Sequence, residues 1–204
     1  MGLILIGLPV IFYTLVDFPQ RSFLKESISL LTILAFSLAL GLLFLNQKGK
    51  FLLQVKTVTM VNIHRIVGYT IVFLFMIHPF LIVFPRYFES GVEPMDALTT
   101  LLTSFNQTGV ILGMISWVLL MLIGLTSYFR YQLPIYYSTW RVLHASLSLC
   151  FAITAVSHAV LQGRHTSISL SIFLIFIGLS GIGLILNSYK FDSKPVKALS
   201  NEDF

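Results

Sequence analysis

Long apolar blocks alternate with short polar breaks along this chain. The first block is Met1 to Val16, ended by Asp17 and Pro19. The second runs from Ser27 to Leu45 and is closed by Gln47, Lys48, Gly49 and Lys50. Four more follow, from Met60 to Val83, Thr108 to Tyr128, Trp140 to Leu161 and Ile168 to Tyr189. A helix of about 20 apolar residues covers the roughly 30 Å hydrocarbon core of a bilayer. The pattern therefore predicts six membrane-spanning helices, the first slightly short. The longest polar connection is Phe84 to Gln107, with Arg86, Glu89, Glu93 and Asp96, and its middle, EPMDALTTLLTSF, predicts a short interfacial helix. Residues 1–189 read as one helical domain and 190–204 as a polar cytoplasmic tail.

Composition strengthens this picture. The chain has 204 residues, of which 56% are hydrophobic and 10% charged, whereas soluble domains are nearer a quarter charged. The expected class is an all-α polytopic membrane protein in the lipid bilayer of the cell membrane. The first block lacks the positively charged lead of a signal peptide. A net charge of +5 does not imply nucleic acid, because basic residues of membrane proteins flank the cytoplasmic ends of spans. With both termini cytoplasmic, the inner side collects Lys48, Lys50, Lys56, Arg65, Arg130, Arg141, Lys190, Lys194 and Lys197. The outer side then holds Arg21, Lys25, Arg86 and Arg164. The single cysteine, Cys150, rules out an intramolecular disulfide and is expected to be a small buried packing residue.

Against that apolar background, four histidines change the reading. His64 and His78 lie fourteen residues apart in the third span, and His144 and His158 repeat the interval in the fifth. Fourteen helical positions advance roughly 1400°, about 40° short of four turns, and rise about 21 Å. Each pair thus shares a helix face, with one member near each side of the membrane. The topology makes the two spans parallel, which matches His64 with His144 at the inner depth and His78 with His158 at the outer.

Ionisable residues within a membrane are costly and generally mark a pathway or ligand site. Neutral imidazole suits zinc, copper and heme iron. Zinc usually takes four converging ligands, often with a carboxylate or thiolate, and neither histidine-bearing span contains Asp or Glu. Two axial imidazoles on one heme iron fit two histidines per depth better, and an iron so ligated has no open position, which favours electron transfer. A proton or metal transporter using the histidines as a relay is the rival from another class; such proteins often carry carboxylates in their spans.

Arg65 and Arg141 flank the inner histidines, suited to pairing with propionates or to anchoring the cytoplasmic side. Phe151 lies seven residues from both His144 and His158, broadly on their face, where an aromatic would sit between two ligand sites or pack against helices. Gly68 and Ala145 are small residues near the inner pair. His165, in the loop QGRHTS, reads as exposed, or as a residue positioning an acceptor at the outer side.

The HRxxG…HP pattern on the third span, WRxLHxxL…H on the fifth and LGMISWVLLMLIGLTS on the fourth resemble the ferric reductase-like transmembrane domain, over about Val61 to Ser188. That family includes NADPH oxidases, ferric reductases and the heme subunit of methionine sulfoxide reductase systems. The resemblance implies a six-helix bundle holding two stacked b-type hemes, the inner on His64 and His144 and the outer on His78 and His158. It also implies Phe151 between them. The larger relatives continue into a flavin- and nicotinamide-binding region, whereas about fifteen residues follow the last span here. The one glycine-rich stretch, GLSGIGL, has no preceding strand and reads as helix packing rather than a dinucleotide fingerprint. Electrons are therefore expected on the inner side from a separate flavoprotein carrying FAD or FMN, from a membrane quinol, or from a further region of a longer protein of which this sequence is the membrane part. The expected acceptor lies outside, such as ferric iron or oxygen, or an exported reductase for which this chain is the heme anchor.

Overall fold

The computed structural model describes residues 2–16, 18–19, 21–45, 56–89, 91 and 93–192. The expected breaks at Asp17 and at Gln47 to Lys50, and the tail beyond Asp192, lie outside the described residues. Seven α-helices and no strand occur among the described residues: α1 (Gly2–Thr14), α2 (Phe23–Leu42), α3 (Thr57–Val83), α4 (Pro94–Thr103), α5 (Thr108–Tyr128), α6 (Tyr137–Gln162) and α7 (Ile168–Asp192). A 3-10 turn, Phe84–Phe88, extends α3, and α4 forms where the polar connection predicted a short helix, with Pro94 at its first position and its fixed φ suited to helix initiation.

Five helices, α2, α3, α5, α6 and α7, are long and apolar enough to cross a bilayer. With 13 residues, α1 is about 20 Å long, well short of a full hydrocarbon core. Large apolar side chains cover the outside, among them Phe73, Phe80, Ile153, Ile172 and Phe176. In water such a surface would aggregate; against lipid it is the expected solvent-facing chemistry.

The five long helices close into a ring. Helix α3 packs on α2 and α5, α6 on α5 and α7, and α7 returns to α2. Helix α1 lies outside, against α2 and α7. Leu40, Leu170 and Leu174, with Phe36, Ala152 and Ile177, form the densest apolar core, where α2, α6 and α7 meet. GLSGIGL does serve helix packing: a Cβ on Gly181 would stand 2.7 Å from the Leu43 Cβ, so α7 reaches α2 this closely only without a side chain there. Within the ring α3 and α6 are not among the closely packed helix pairs. They face each other through side chains, and those side chains are histidines.

At the end of the bundle near His78, Lys25 forms an ion pair with Glu89 and Ser22 Oγ donates to Glu89 Oε1 at 2.9 Å, tying the start of α2 to the end of the α3 extension. The Lys25 ammonium and the Ser22 hydroxyl hold the Glu89 carboxyl below its usual range. Cys150 is exposed on α6, contrary to the expectation of burial. An apolar helix in lipid carries no polar face to show which side is outward, so its sequence does not distinguish packing from lipid contact.

Candidate functional site

Two histidine clusters lie between α3, α5 and α6. In the first, the His64 and His144 rings stand 6.1 Å apart, inclined at 61°. In the second, His78 and His158 lie close enough to interact electrostatically. The expected pairs are thus brought together. Both α3 and α6 continue unbroken through their two histidines, α3 running through Pro79, so their 3.6-residue period keeps each pair on one face.

Helix α5 orients the two histidines of α6. Carbonyls only accept, so His158 donates its Nδ1–H to the Gly109 carbonyl, 2.7 Å away, leaving Nε2 with its lone pair. Gly113 lies under the same ring, where a Cβ would stand 2.6 Å from His158 Cε1 and Nδ1. At the other end, Ser127 Oγ donates to the Ile123 carbonyl at 2.6 Å. Its oxygen is then the acceptor for His144 Nδ1, 3.2 Å distant. Both α6 imidazoles therefore present a bare Nε2, the form a metal-binding histidine takes when its other nitrogen is held by a hydrogen bond.

The α3 histidines are held differently. His64 lies beside the Leu42 backbone, and its Nδ1 is buried with no hydrogen-bond partner. Such an atom is costly in apolar surroundings unless something coordinates it. His78 meets the edge of Phe75 at 5.8 Å and lines a recess with Leu31, Thr32, Ala35 and Leu81. Among the described residues no three His, Cys, Asp or Glu side chains converge, so each cluster offers two protein ligands. This donor set fits a group that brings its own equatorial ligands and needs only two axial ones, as heme iron does.

The remaining expected residues fare unevenly. Arg65 is exposed, its Nη2 3.4 Å from Asn62 Oδ1. Arg141 places its guanidinium 5.6 Å from the centre of the Tyr189 ring, and Tyr189 donates to the Arg141 carbonyl at 2.8 Å. Phe151 is half-buried against the apolar core. A Cβ on Gly68 would make ordinary van der Waals contact with Leu42 Cδ1, 3.8 Å away. His165 departs from its expected exposure, being only 4% exposed. Its ring packs on Tyr13 at 4.8 Å and Phe18 at 4.7 Å, and Nε2 stands 3.1 Å from Glu26 Oε2 without hydrogen-bonding geometry. These partners come from α1, α2 and the segment between them, far off in sequence, which is why a short polar loop gave no sign of burial.

Ser127, Gly109, Gly113, Phe75 and Trp140 carry contacts to the histidines that spacing alone did not reveal. Gly109 and Gly113, four apart at the start of α5, were the available signal, because small residues at that interval mark close helix approach in membranes.

An uncharacterized protein of Archaeoglobus fulgidus is 30% identical over 173 residues, covering 84% of this chain and 93% of that protein. No solved structure matches the chain. The family described as ferric reductase like transmembrane component matches residues 31–155, a stretch that includes His64, His78 and His144 and stops three residues before His158. This chain belongs to the ferric reductase-like transmembrane family.

Proposed function

We propose that this protein is a diheme b-type cytochrome that carries electrons across the cell membrane. The donor is on the inner side, a separate flavoprotein or a quinol, and the acceptor outside, such as ferric iron or oxygen. His64 and His144 would hold the inner heme, and His78 and His158 the outer. A heme held by such a pair of imidazoles would supply reversible one-electron chemistry. In this reading α1 completes six crossings and both termini are cytoplasmic.

The chain's own residues prepare the two sites. Gly109 and Ser127 hold protons on the Nδ1 atoms of His158 and His144, aiming bare Nε2 atoms between α3 and α6. Fixing the tautomer in advance removes a reorganisation that a freely turning ring would need. Apolar side chains from α2, α6 and α7 exclude water on one flank, and lipid does so outside. Arg65 and Arg141 bring positive charge to the end carrying His64 and His144, suited to propionates.

The observation that carries this reading is the facing of His64 and His144, 6.1 Å apart, from two helices that are not among the closely packed pairs of the ring. The test is a pyridine hemochrome assay on protein purified after heme-replete expression. A heme-to-protein ratio near two is expected, falling toward one in His64→Ala or His144→Ala and likewise in His78→Ala or His158→Ala. Protein without Soret absorption would refute it.

A further inference from the structure

At the end of the bundle carrying His64 and His144, three rings form a continuous stack from the surface to the ligand pair. Tyr137 is 57% exposed. Its ring lies 5.8 Å from that of Trp140 and inclined by only 17°, and Trp140 lies 5.1 Å from His144 at 27°. The indole is fixed by donating Nε1–H to the Thr126 carbonyl at 3.0 Å, one residue before the Ser127 that holds His144. Arg130 caps the outer part of the stack, its guanidinium 4.4 Å from the centre of Tyr137 and 4.9 Å from that of Trp140.

Tyrosine and tryptophan at a membrane boundary usually serve as interfacial anchors, and an anchor needs only to reach the headgroups. This stack differs in two respects. Its rings are nearly parallel to one another and end on an imidazole of the candidate site, and a cation lies over both. Cations over aromatic faces hold them in place, and a fixed positive charge opposes removal of an electron from the rings. The same charge attracts a negatively charged planar molecule to the exposed face of Tyr137.

We propose that Tyr137 and Trp140 form the electron intake of this protein, receiving a planar, anionic, reduced ring system at Tyr137 and coupling it through Trp140 to His144. The inference rests on the diheme reading for the destination of the electron. In each transfer one electron leaves the reduced donor and arrives at the His64/His144 site. After two such transfers the anionic donor is fully oxidised and has released one proton to water, a ferric heme of the proposed site would be the acceptor of each electron, and the two rings end as they began. Trp140 is a positioning residue here, acting through His144. Reduced flavin and the deprotonated anion of a naphthohydroquinone share the required chemistry, the first arriving from water and the second from lipid.

The test uses the purified holoprotein in nanodiscs, with reduced FMN and menadiol as separate donors and stopped-flow absorbance as the readout. Trp140→Leu should slow reduction at least tenfold at unchanged heme stoichiometry and spectrum, while Trp140→Phe stays within about threefold of the parent. Both substitutions remove the bond to Thr126, so the difference isolates the ring. Tyr137→Leu, at the exposed end where folding is not at stake, should also slow reduction by the donor that uses the port, and that donor names the source. A readout independent of heme is Trp140 emission in Trp117→Phe protein, which FMN or menadione should quench saturably, with the affinity at least fivefold weaker in Tyr137→Leu. Absence of saturable quenching by both probes overturns the inference even if no heme is bound. Unchanged rates in Trp140→Leu or Tyr137→Leu, or a Trp140→Phe rate as low as that of Trp140→Leu, overturn it in the loaded protein.

Discussion

Replacing Gly113 with alanine tests whether α5 sets the geometry of the histidine site. The new Cβ would stand 2.6 Å from His158 Cε1 and Nδ1, about 1 Å inside the ~3.5 Å at which carbon atoms make favourable contact. The ring is not a loose side-chain end able to swing aside, because its Nδ1 is bonded to Gly109 at 2.7 Å. Either that bond lengthens beyond use or α5 and α6 move apart. Overpacking of this kind costs about 1–3 kcal/mol, and the lost hydrogen bond adds roughly 0.5–1.5 kcal/mol. Loss of a partner orienting a ligating histidine typically weakens metal-group retention about 10- to 100-fold. On the diheme reading proposed above, the Gly113→Ala protein should therefore lose the heme proposed for His78 and His158 on dilution or competition, its hemochrome ratio falling toward one, while the proposed His64/His144 site stays loaded. Two controls sharpen the result. Gly183→Ala meets nothing within 4 Å and should be neutral or slightly stabilising. Gly109→Ala presses first on the Gln162 side chain, at 2.4 Å from its Cγ, which can turn away at the cost of a bond to Gln107. A Gly113→Ala protein that keeps both hemes and its thermal midpoint would refute the reasoning.

Ser127→Ala removes the acceptor for His144 Nδ1 and should loosen heme at the His64/His144 site by about tenfold, measured by transfer to apomyoglobin, with Ser127→Thr retaining it. Gly181→Ala drives a Cβ to within 2.7 Å of the Leu43 Cβ, backbone-proximal on both sides; a loss of about 1–3 kcal/mol should appear as a lowered thermal midpoint, and an unchanged one would contradict the close α2–α7 approach. Burial holds His165 below its ordinary value of 6.5, outweighing the Glu26 carboxylate, with Arg21 and Arg164 acting in the same direction as burial. The unfolded chain then takes up this proton before the folded one, so stability falls as pH drops below 6.5. His165→Leu should reduce the slope of thermal midpoint against pH between 6.5 and 5; an unaltered slope would mean that His165 is not buried neutral.

Hydrophobic blocks marked the long helices to within a few residues, because in lipid a helix must satisfy its own backbone and an apolar stretch of sufficient length has no other form. The histidine spacing was equally legible, since it depends only on helical period. What spacing does not contain is closure: it matched the histidines of α3 with those of α6, but nothing in the span order shows α7 returning to α2, or α5 packing beside α6. The held tautomers depend on that closure, for Gly109 and Ser127 reach His158 and His144 only when α5 lies antiparallel beside α6. His165 was misread for a related reason, its neighbours Tyr13, Phe18 and Glu26 coming from the other end of the chain.

Gly109 and Ser127 are eighteen residues apart on α5, five helical turns and about 27 Å, so one straight face serves both histidines. Their acceptors are nevertheless of different kinds. At His144 it is a side-chain hydroxyl, which any substitution of Ser127 alters. At His158 it is a main-chain carbonyl, which no substitution of residue 109 deletes. A side-chain scan confined to the two bonding positions, 109 and 127, would therefore find the control exerted on one site and pass over the control exerted on the other. Only a change of backbone chemistry, such as an ester in place of the amide following Gly109, weakens that acceptor and lets the two be compared on equal terms.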